Sequence, residues 1–281
     1  MGISNFSTLA GAVGPVLKND AYLRYFYEDF TQPFGMSVFV NGGVAGVSAP
    51  TGTEGNVNVI KTERNSLYWT VLGTQTIVAP NFQATGLDLV QDAGDNDGAE
   101  YNLSPFPTAG AGRAKCRFVA RTDEFFIRVR ASIGDVSDTD EFLVGFRLAE
   151  AFQPDYLDYN TWSYLGISAS AVTAAINSVT ELNAGGAVTT ATGSTWADSA
   201  THTLEVRINS AGTALFLVDG TFVGITQPTT QFQWDSADVV IPSIRYRNAG
   251  ANDPGISLLE LECGLLSARG LDSPIDLTAG V

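Results

Sequence analysis

The chain has a single histidine, His202, two cysteines, two methionines and only 15 Lys+Arg among its 281 residues. Against those 15 bases stand 30 Asp+Glu, for a formal net charge of -15. Each shortage excludes something. So few bases cannot build a face that neutralises phosphates, which argues against nucleic-acid binding. One histidine and two distant cysteines cannot supply the roughly four ligands of a structural zinc. No apolar run approaches the ~20 residues of a membrane helix, so no membrane partner is expected. The start of the chain, Met1 to Asp20, lacks the basic and long apolar regions of a secretory signal. Charged residues make up only 16% and hydrophobic residues 44%, which excludes a disordered acidic tail. A chain of this length buries a full core in one or two domains. Cys116 and Cys263 belong to no C-x-x-C pair. They read as two reduced, buried thiols or as one disulfide, and neither demands an oxidising compartment.

What the sequence has in abundance is β pattern. Short runs of Val, Ile, Phe, Tyr and Thr alternate with Gly, Asn, Asp and Pro clusters from Ser37 to Glu262. Strands are expected over Ser37 to Val40, Val57 to Lys61, Leu67 to Leu72, Thr76 to Ala79 and Ala99 to Leu103. Others are expected over Cys116 to Arg121, Glu124 to Ala131, Glu141 to Leu148, Trp162 to Ser168 and Ala171 to Asn177. The last are His202 to Ile208, Ala214 to Val218, Thr221 to Ile225, Val239 to Arg247 and Ile256 to Cys263. In Glu124 to Ala131, Phe125, Ile127, Val129 and Ala131 share a face, with Arg128 and Arg130 opposite. Phe142, Val144, Phe146 and Leu148 share another, and Leu204, Val206 and Ile208 a third. A side-chain period of two puts each set on a core and its alternates toward water. With no interleaved amphipathic helices, the reading is an all-β, antiparallel two-sheet β-sandwich.

Turn chemistry agrees. Asp219-Gly220 suits the positive φ angles of a type I′ hairpin between Ala214 to Val218 and Thr221 to Ile225. With Asn209 to Gly212 it makes a three-strand meander from His202 to Ile225. Pro242 suggests an edge or a bulge. Residues 1–27 read as an N-terminal arm, with a short helix over Ala21 to Tyr27 capped by Asn19 or Asp20. The sandwich is expected over 28–266 and an extended tail over 267–281. Asn183 to Ser199 reads as a long loop or weak hairpin.

The stretch from His202 through Val218-Asp219-Gly220 to Val223-Gly224 resembles the central meander of the concanavalin A-like lectin/glucanase superfamily, laminin-G modules included. That resemblance implies a jelly-roll sandwich. A wider stretch comprises Asp92 to Glu100, Phe118 to Ile133 and Asp135 to Glu150. It is similar to a tailed-phage structural family, which implies a virion component assembled in the host cytoplasm.

Candidate chemistry is sparse. Asp92, Asp95, Asp97 and Glu100 cluster on one turn, where hard oxygen ligands suit Ca²⁺. The plainer reading is a polar turn before the strand Ala99 to Leu103, since the EF-hand register lacks an acid at Ala93. Asp135, Asp138, Asp140 and Glu141 form a similar, weaker group. Glu260 and Glu262 stand about 6–7 Å apart on one strand face, near a glycosidase carboxylate spacing. Leu259, Leu261 and Cys263 claim the core face, however, which leaves the glutamates solvated. His202 reads as a hydrogen-bonded structural residue, and no Gly-x-Ser-x-Gly elbow accompanies it. Candidate contact residues are Tyr22, Tyr25 and Phe26 in the arm, and Tyr156, Tyr159, Trp162 and Trp196 in the sandwich. Exposed, the latter would stack on sugars or anchor a protein interface; buried, they are core, as Trp69 is by default.

These features point to a non-enzymatic virion protein, a capsid decoration or cement subunit docking on capsid and sister subunits, with a trimer as one homo-oligomer. The alternative is a glycan-binding fibre or receptor-recognition module, and a remote one is a glycoside hydrolase.

Overall fold

A computed structural model describes residues 24–31, 37–39, 58–61, 66–72, 81–83, 85–89, 94–103, 116–168, 174–223, 232–250 and 252–268. Its strands are β1 (Phe26–Asp29), β2 (Ser37–Phe39), β3 (Asn58–Lys61), β4 (Ser66–Leu72), β5 (Asn81–Gln83) and β6 (Gly86–Asp88). Then come β7 (Gly98–Asn102), β8 (Phe118–Val119), β9 (Phe125–Ile133), β10 (Thr139–Leu148), β11 (Trp162–Ile167) and β12 (Ala175–Glu181). The last are β13 (Val188–Thr195), β14 (Thr201–Ile208), β15 (Ala214–Val218), β16 (Thr221–Val223), β17 (Val239–Asn248) and β18 (Ile256–Leu265).

They form two antiparallel sheets. The eight-stranded sheet runs β16-β15-β14-β9-β18-β6-β5, with β1 also on β18. The ten-stranded sheet runs β13-β12-β11-β10-β17-β7-β4-β3-β2, with β8 also on β17. The chain changes sheet at Gly134 to Asp138, between β9 and β10, where the Asp135 carboxylate accepts from Ser137 N (2.9 Å) and Oγ (2.7 Å). The inner faces interdigitate into one core. Phe125, Ile127, Val129, Leu204, Val206 and Leu261 come from one sheet, and Phe142, Val144, Phe146, Leu165, Ile244 and Tyr246 from the other. Phe118, Phe125 and Phe146 meet there ring on ring. The sandwich expected from period-two alternation is therefore the observed architecture.

β17 and β18 each share one flank between two partners. Val239 and Val240 pair with β8, and Ser243 to Arg247 with β7. Likewise Ser257 and Leu258 pair with β6, and Glu260 to Cys263 with β1. This corrects the expectation for Pro242. It lies inside the sheet opposite Phe146, at the handover between β8 and β7, where a missing ladder donor costs least. In β18 a bulge marks the handover between Leu258 and Glu260. It turns Leu259 out of the core, so Leu258 and Leu261, rather than Leu259, are buried.

The helix expected over Ala21 to Tyr27 is corrected as well. Phe26–Asp29 is a strand in register with β18, Phe26 opposite Cys263. Phe26 and Phe30 are core residues, and Tyr25 packs on Phe126. An aromatic run that reads as a helix face serves a strand once a sheet edge is free to take it. The sandwich thus reaches back past residue 28; Tyr22 and the rest of the arm lie outside the described residues, as does Thr76 to Ala79. The expected strand Cys116 to Arg121 shrinks to Phe118–Val119 because Cys116 (φ 54°) and Arg121 (φ 59°) turn the chain at both ends. Asn183 to Ser199 contains a real strand, β13. Its threonines are good β formers, and an edge strand needs no apolar face. The meander is as expected, with Asp219 (φ 50°) and Gly220 (φ 78°) both in the left-handed region.

Cys116 and Cys263 are free, buried thiols. Cys116 Sγ points at the Cys263 carbonyl oxygen, 3.6 Å away. Burial first, then the Cys116 thiol, pushes the Cys263 pKa well up.

Candidate functional site: a loop-closed arginine, glutamate and tyrosine cluster

The outer face of the ten-stranded sheet is not a plain solvated surface. Cross-strand register sets Glu141 opposite Arg247, Leu143 opposite Arg245, and Arg245 opposite Glu100. The same register sets Arg147 opposite Trp162 and Gly145 opposite Tyr164. Opposed residues share a face, so these side chains stand together outside the sheet. Gly145 is required there: a Cβ would sit 2.0 Å from the Ser163 carbonyl oxygen and 2.9 Å from the Tyr164 ring.

The segment from Glu150 to Tyr159 folds over this face. Asp155 starts a single 3-10 turn, Tyr156–Asp158, by accepting from Leu157 N at 3.0 Å. Tyr156 and Tyr159 drop from the turn onto Trp162 and Tyr164, forming with Leu143 and Val179 a second apolar cluster. Tyr156 meets Trp162 edge-on at 5.0 Å.

Beneath the turn, Arg147 contacts Glu100 through Nε (2.9 Å) and Nη2 (2.8 Å). Tyr159 donates its hydroxyl to the other Glu100 oxygen at 2.8 Å. Arg245 Nε donates to Glu141 at 3.0 Å, and Arg247 Nε lies 3.4 Å from the same carboxylate. The arginines also hold the loop. Arg147 Nη1 donates to the carbonyls of Leu148 and Glu150, Arg245 to those of Gln153 and Pro154, and Arg247 to that of Pro154. The Arg147 guanidinium lies 4.3 Å over the Tyr159 ring. Glu100, Glu141, Arg147 and Arg245 are all fully buried. Fully desolvated ions of this kind persist only when paired and hydrogen-bonded.

The titrations reflect this. Burial raises the Glu141 carboxyl pKa, against the pull of Arg245 and Arg247. Burial works against the Arg147 charge, yet Glu100 and the neighbouring tyrosines hold its pKa above the usual arginine value. Burial pushes Tyr156 up to about 12. It pushes Tyr159 and Tyr164 up as well, with Glu100 adding to the shift in both.

No protein-family model matches this chain. No curated protein matches it either. Solved structures do. The Emp47p carbohydrate recognition domain aligns at 12% identity over 70% of this chain and 88% of that one, TM-score 0.45. The calreticulin globular domain of T. cruzi aligns at 12% identity over 85% and 87%, TM-score 0.41. The CBM2 module of the evolved Dit of Lactobacillus casei BL23 phage J-1 aligns at 11% identity over 85% and 94%, TM-score 0.40.

The candidate residues fall as follows. Tyr156, Tyr159, Trp162 and Trp196 are all buried, which corrects their reading as an exposed stacking platform. Trp196 packs edge-on against Phe142 and His202. Tyr25 and Phe26 are buried in the chain's own sheet, and Tyr25 donates to Glu262 at 2.8 Å. The partner-contact reading of those two is corrected likewise. The acidic turn is dispersed: Asp95 is exposed, Glu100 turns inward to Arg147, and Asp92 lies outside the described residues. Among the described residues no group of three or more His, Cys, Asp or Glu is placed to hold a metal ion. In the weaker acidic group Glu141 is likewise taken by Arg245. Glu260 pairs with Arg130 at 3.0 Å, and Glu262 lies 3.6 Å from Arg128. His202 Nδ1 hydrogen-bonds Asp219 at 2.7 Å.

Arg147, Arg245 and Arg247 were not legible as a site. Their one signal is a charge inside a strongly apolar strand: Arg147 between Phe146 and Leu148, and Arg245 between Ile244 and Tyr246.

Proposed function

We propose that this chain is a non-enzymatic virion structural protein, a capsid decoration subunit that docks on capsid and on sister copies. The supporting observation is the closure of its aromatic face. The tyrosines and tryptophans that an open sugar platform needs are buried, and the arginines that an anion site needs already hold the protein's own loop. Such a surface suits rigid docking through edges and loop tips. The sequence likeness to a tailed-phage structural family supplies the particle.

Glycan recognition, as on a fibre or receptor-binding module, is the second reading. It is favoured by the Asp155-capped turn at Tyr156 to Asp158, where Leu157 is 48% exposed. Hydrolysis is the remote reading. The pairing of Glu260 and Glu262 with arginines supports a structural role for both, and undiminished hydrolysis by Glu262→Gln would remove that pair from contention.

Locating the chain in a reconstructed virion tests the proposal. Density on the capsid lattice is expected. Density at a tail or fibre tip would overturn decoration and turn attention to the Asp155 to Asp158 tip, and absence from the particle would discard both placements.

A further inference from the structure

Among the described residues each main strand order ends in two strands, and three of those four, β2, β5 and β16, are three residues long, while the branch strands β1 and β8 have four and two. Short edges are a standard way to prevent strand addition. The fourth, β13, is eight residues long. It pairs with β12 on one side, and no described residue pairs with the other. Nor is it guarded by charge. Between Asp158 and Asp198 the only charged residue is Glu181, and its side chain is buried, accepting from Gly186 N. Val188 is 53% exposed, and Thr189, Ala191, Gly193 and Thr195 are exposed beside it.

We propose that β13 pairs with β13 of a second copy, antiparallel about a two-fold axis, joining two ten-stranded sheets into one. The charge distribution selects this occupant. Copies with a net charge of -15 repel one another across most of their surface. They meet with the least of that penalty where the facing segments carry almost no charge. A basic partner would gain nothing there and would go to the acidic faces. The pairing is isologous and closes at two copies, so it predicts a dimer rather than the trimer that a capsid symmetry site would suit. The bulge opposite Ile176 and Asn177, with Gly193 at φ 81°, limits the regular ladder to Val188 to Ala191. The inference does not rest on the virion placement, because it is read on the isolated chain.

Sedimentation equilibrium of the full chain, from low to high salt, is the test. A dimer that tightens as salt screens the like charges is expected. Thr189→Lys and Ala191→Lys should each raise the dimer dissociation constant about tenfold or more, by setting like charges beside the two-fold axis. Thr189→Ser should leave it unchanged. Unaltered circular dichroism and a cooperative urea transition establish that the lysine variants fold. A monomeric wild type, a trimer, a dimer weakened by salt, or lysine variants that still dimerise would each overturn the proposal.

Discussion

The two sheets both pair arginine with glutamate between strands on their outer faces, in different settings. On the eight-stranded sheet, Arg130 meets Glu260 at 3.0 Å with the arginine side chain 44% exposed. On the ten-stranded sheet, Arg147 meets Glu100 at 2.8 Å with both side chains at 0%. Distance is similar, although Arg130 and Glu260 are direct partners on neighbouring strands while Arg147 and Glu100 meet across β17; water is the main difference. An exposed pair competes with solvent and salt and contributes about 0–1 kcal/mol. A buried pair gains little net over an apolar substitute, but removing one member strands an uncompensated ion at about 3–5 kcal/mol. The lesson is that the same pairing is decoration at Arg130–Glu260 and a structural commitment at Arg147–Glu100; within the eight-stranded sheet itself Glu262, 3.6 Å from Arg128, is already buried. The cause is one loop, Glu150 to Tyr159, that closes over the second pair.

The sharpest way to break the comparison is Arg245→Ala. It leaves Glu141 buried with only Arg247 at 3.4 Å. Urea denaturation should show a loss of about 3–5 kcal/mol. A loss under 1 kcal/mol would mean that the cluster is wetter than its geometry.

Alkaline pH tests the same cluster without mutation. Tyr159 and Tyr164 have folded pKa values above the ordinary value of 10.0. The unfolded chain therefore loses those protons first. Their contribution is whole below pH 10 and is lost as pH rises above it toward the folded values. Each tyrosine takes away about 1.4 kcal/mol per pH unit in that range. Absorbance at phenolate wavelengths should show these tyrosines ionising together with unfolding; independent ionisation in folded protein would contradict the closed loop.

Tyr159→Phe deletes the hydroxyl that donates to Glu100 and accepts from Gln153 N. A cost of about 1.5–3 kcal/mol is expected for a buried bond to a charged group. Proteolytic nicking of the Glu150 to Tyr159 segment should quicken in that variant.

The smallest effect belongs to the other sheet. Arg130→Ala should change stability by about 0–1 kcal/mol, and high salt should erase the difference. A loss as large as that of Arg245→Ala would end the distinction between the two sheets.

Much of the sandwich was legible. Phe125, Ile127, Val129 and Ala131, and Phe142, Val144 and Phe146, alternate so regularly that face and core followed directly. Asp219-Gly220 named its own turn, because few dipeptides accept two left-handed residues. β1 and β13 were not legible, for opposite reasons. Tyr25 and Phe26 carry enough apolar surface for a helix or a strand, and only the free flank of β18 chooses between them. Val188 to Thr195 carries too little, since an edge strand has almost nothing to bury. The aromatic residues of the site were found and their setting missed: Trp162 and Tyr159 have the composition of an open platform and of a closed cluster alike. Glu100 was found for the wrong chemistry, because a local acidic run says nothing of an arginine 47 residues later.

By itself, then, the sequence determined strand identity, facing and hairpin turns, which depend on a two-residue period and on local φ preferences. It also determined the charge pattern, acidic throughout but nearly bare from Tyr159 to Ala197. The tertiary structure alone decided which carboxylates meet which arginines, which aromatics leave water, and which edge stays unpaired. These depend on contacts between residues far apart in the chain, where burial changes the energy of a charge several-fold and no local pattern records it.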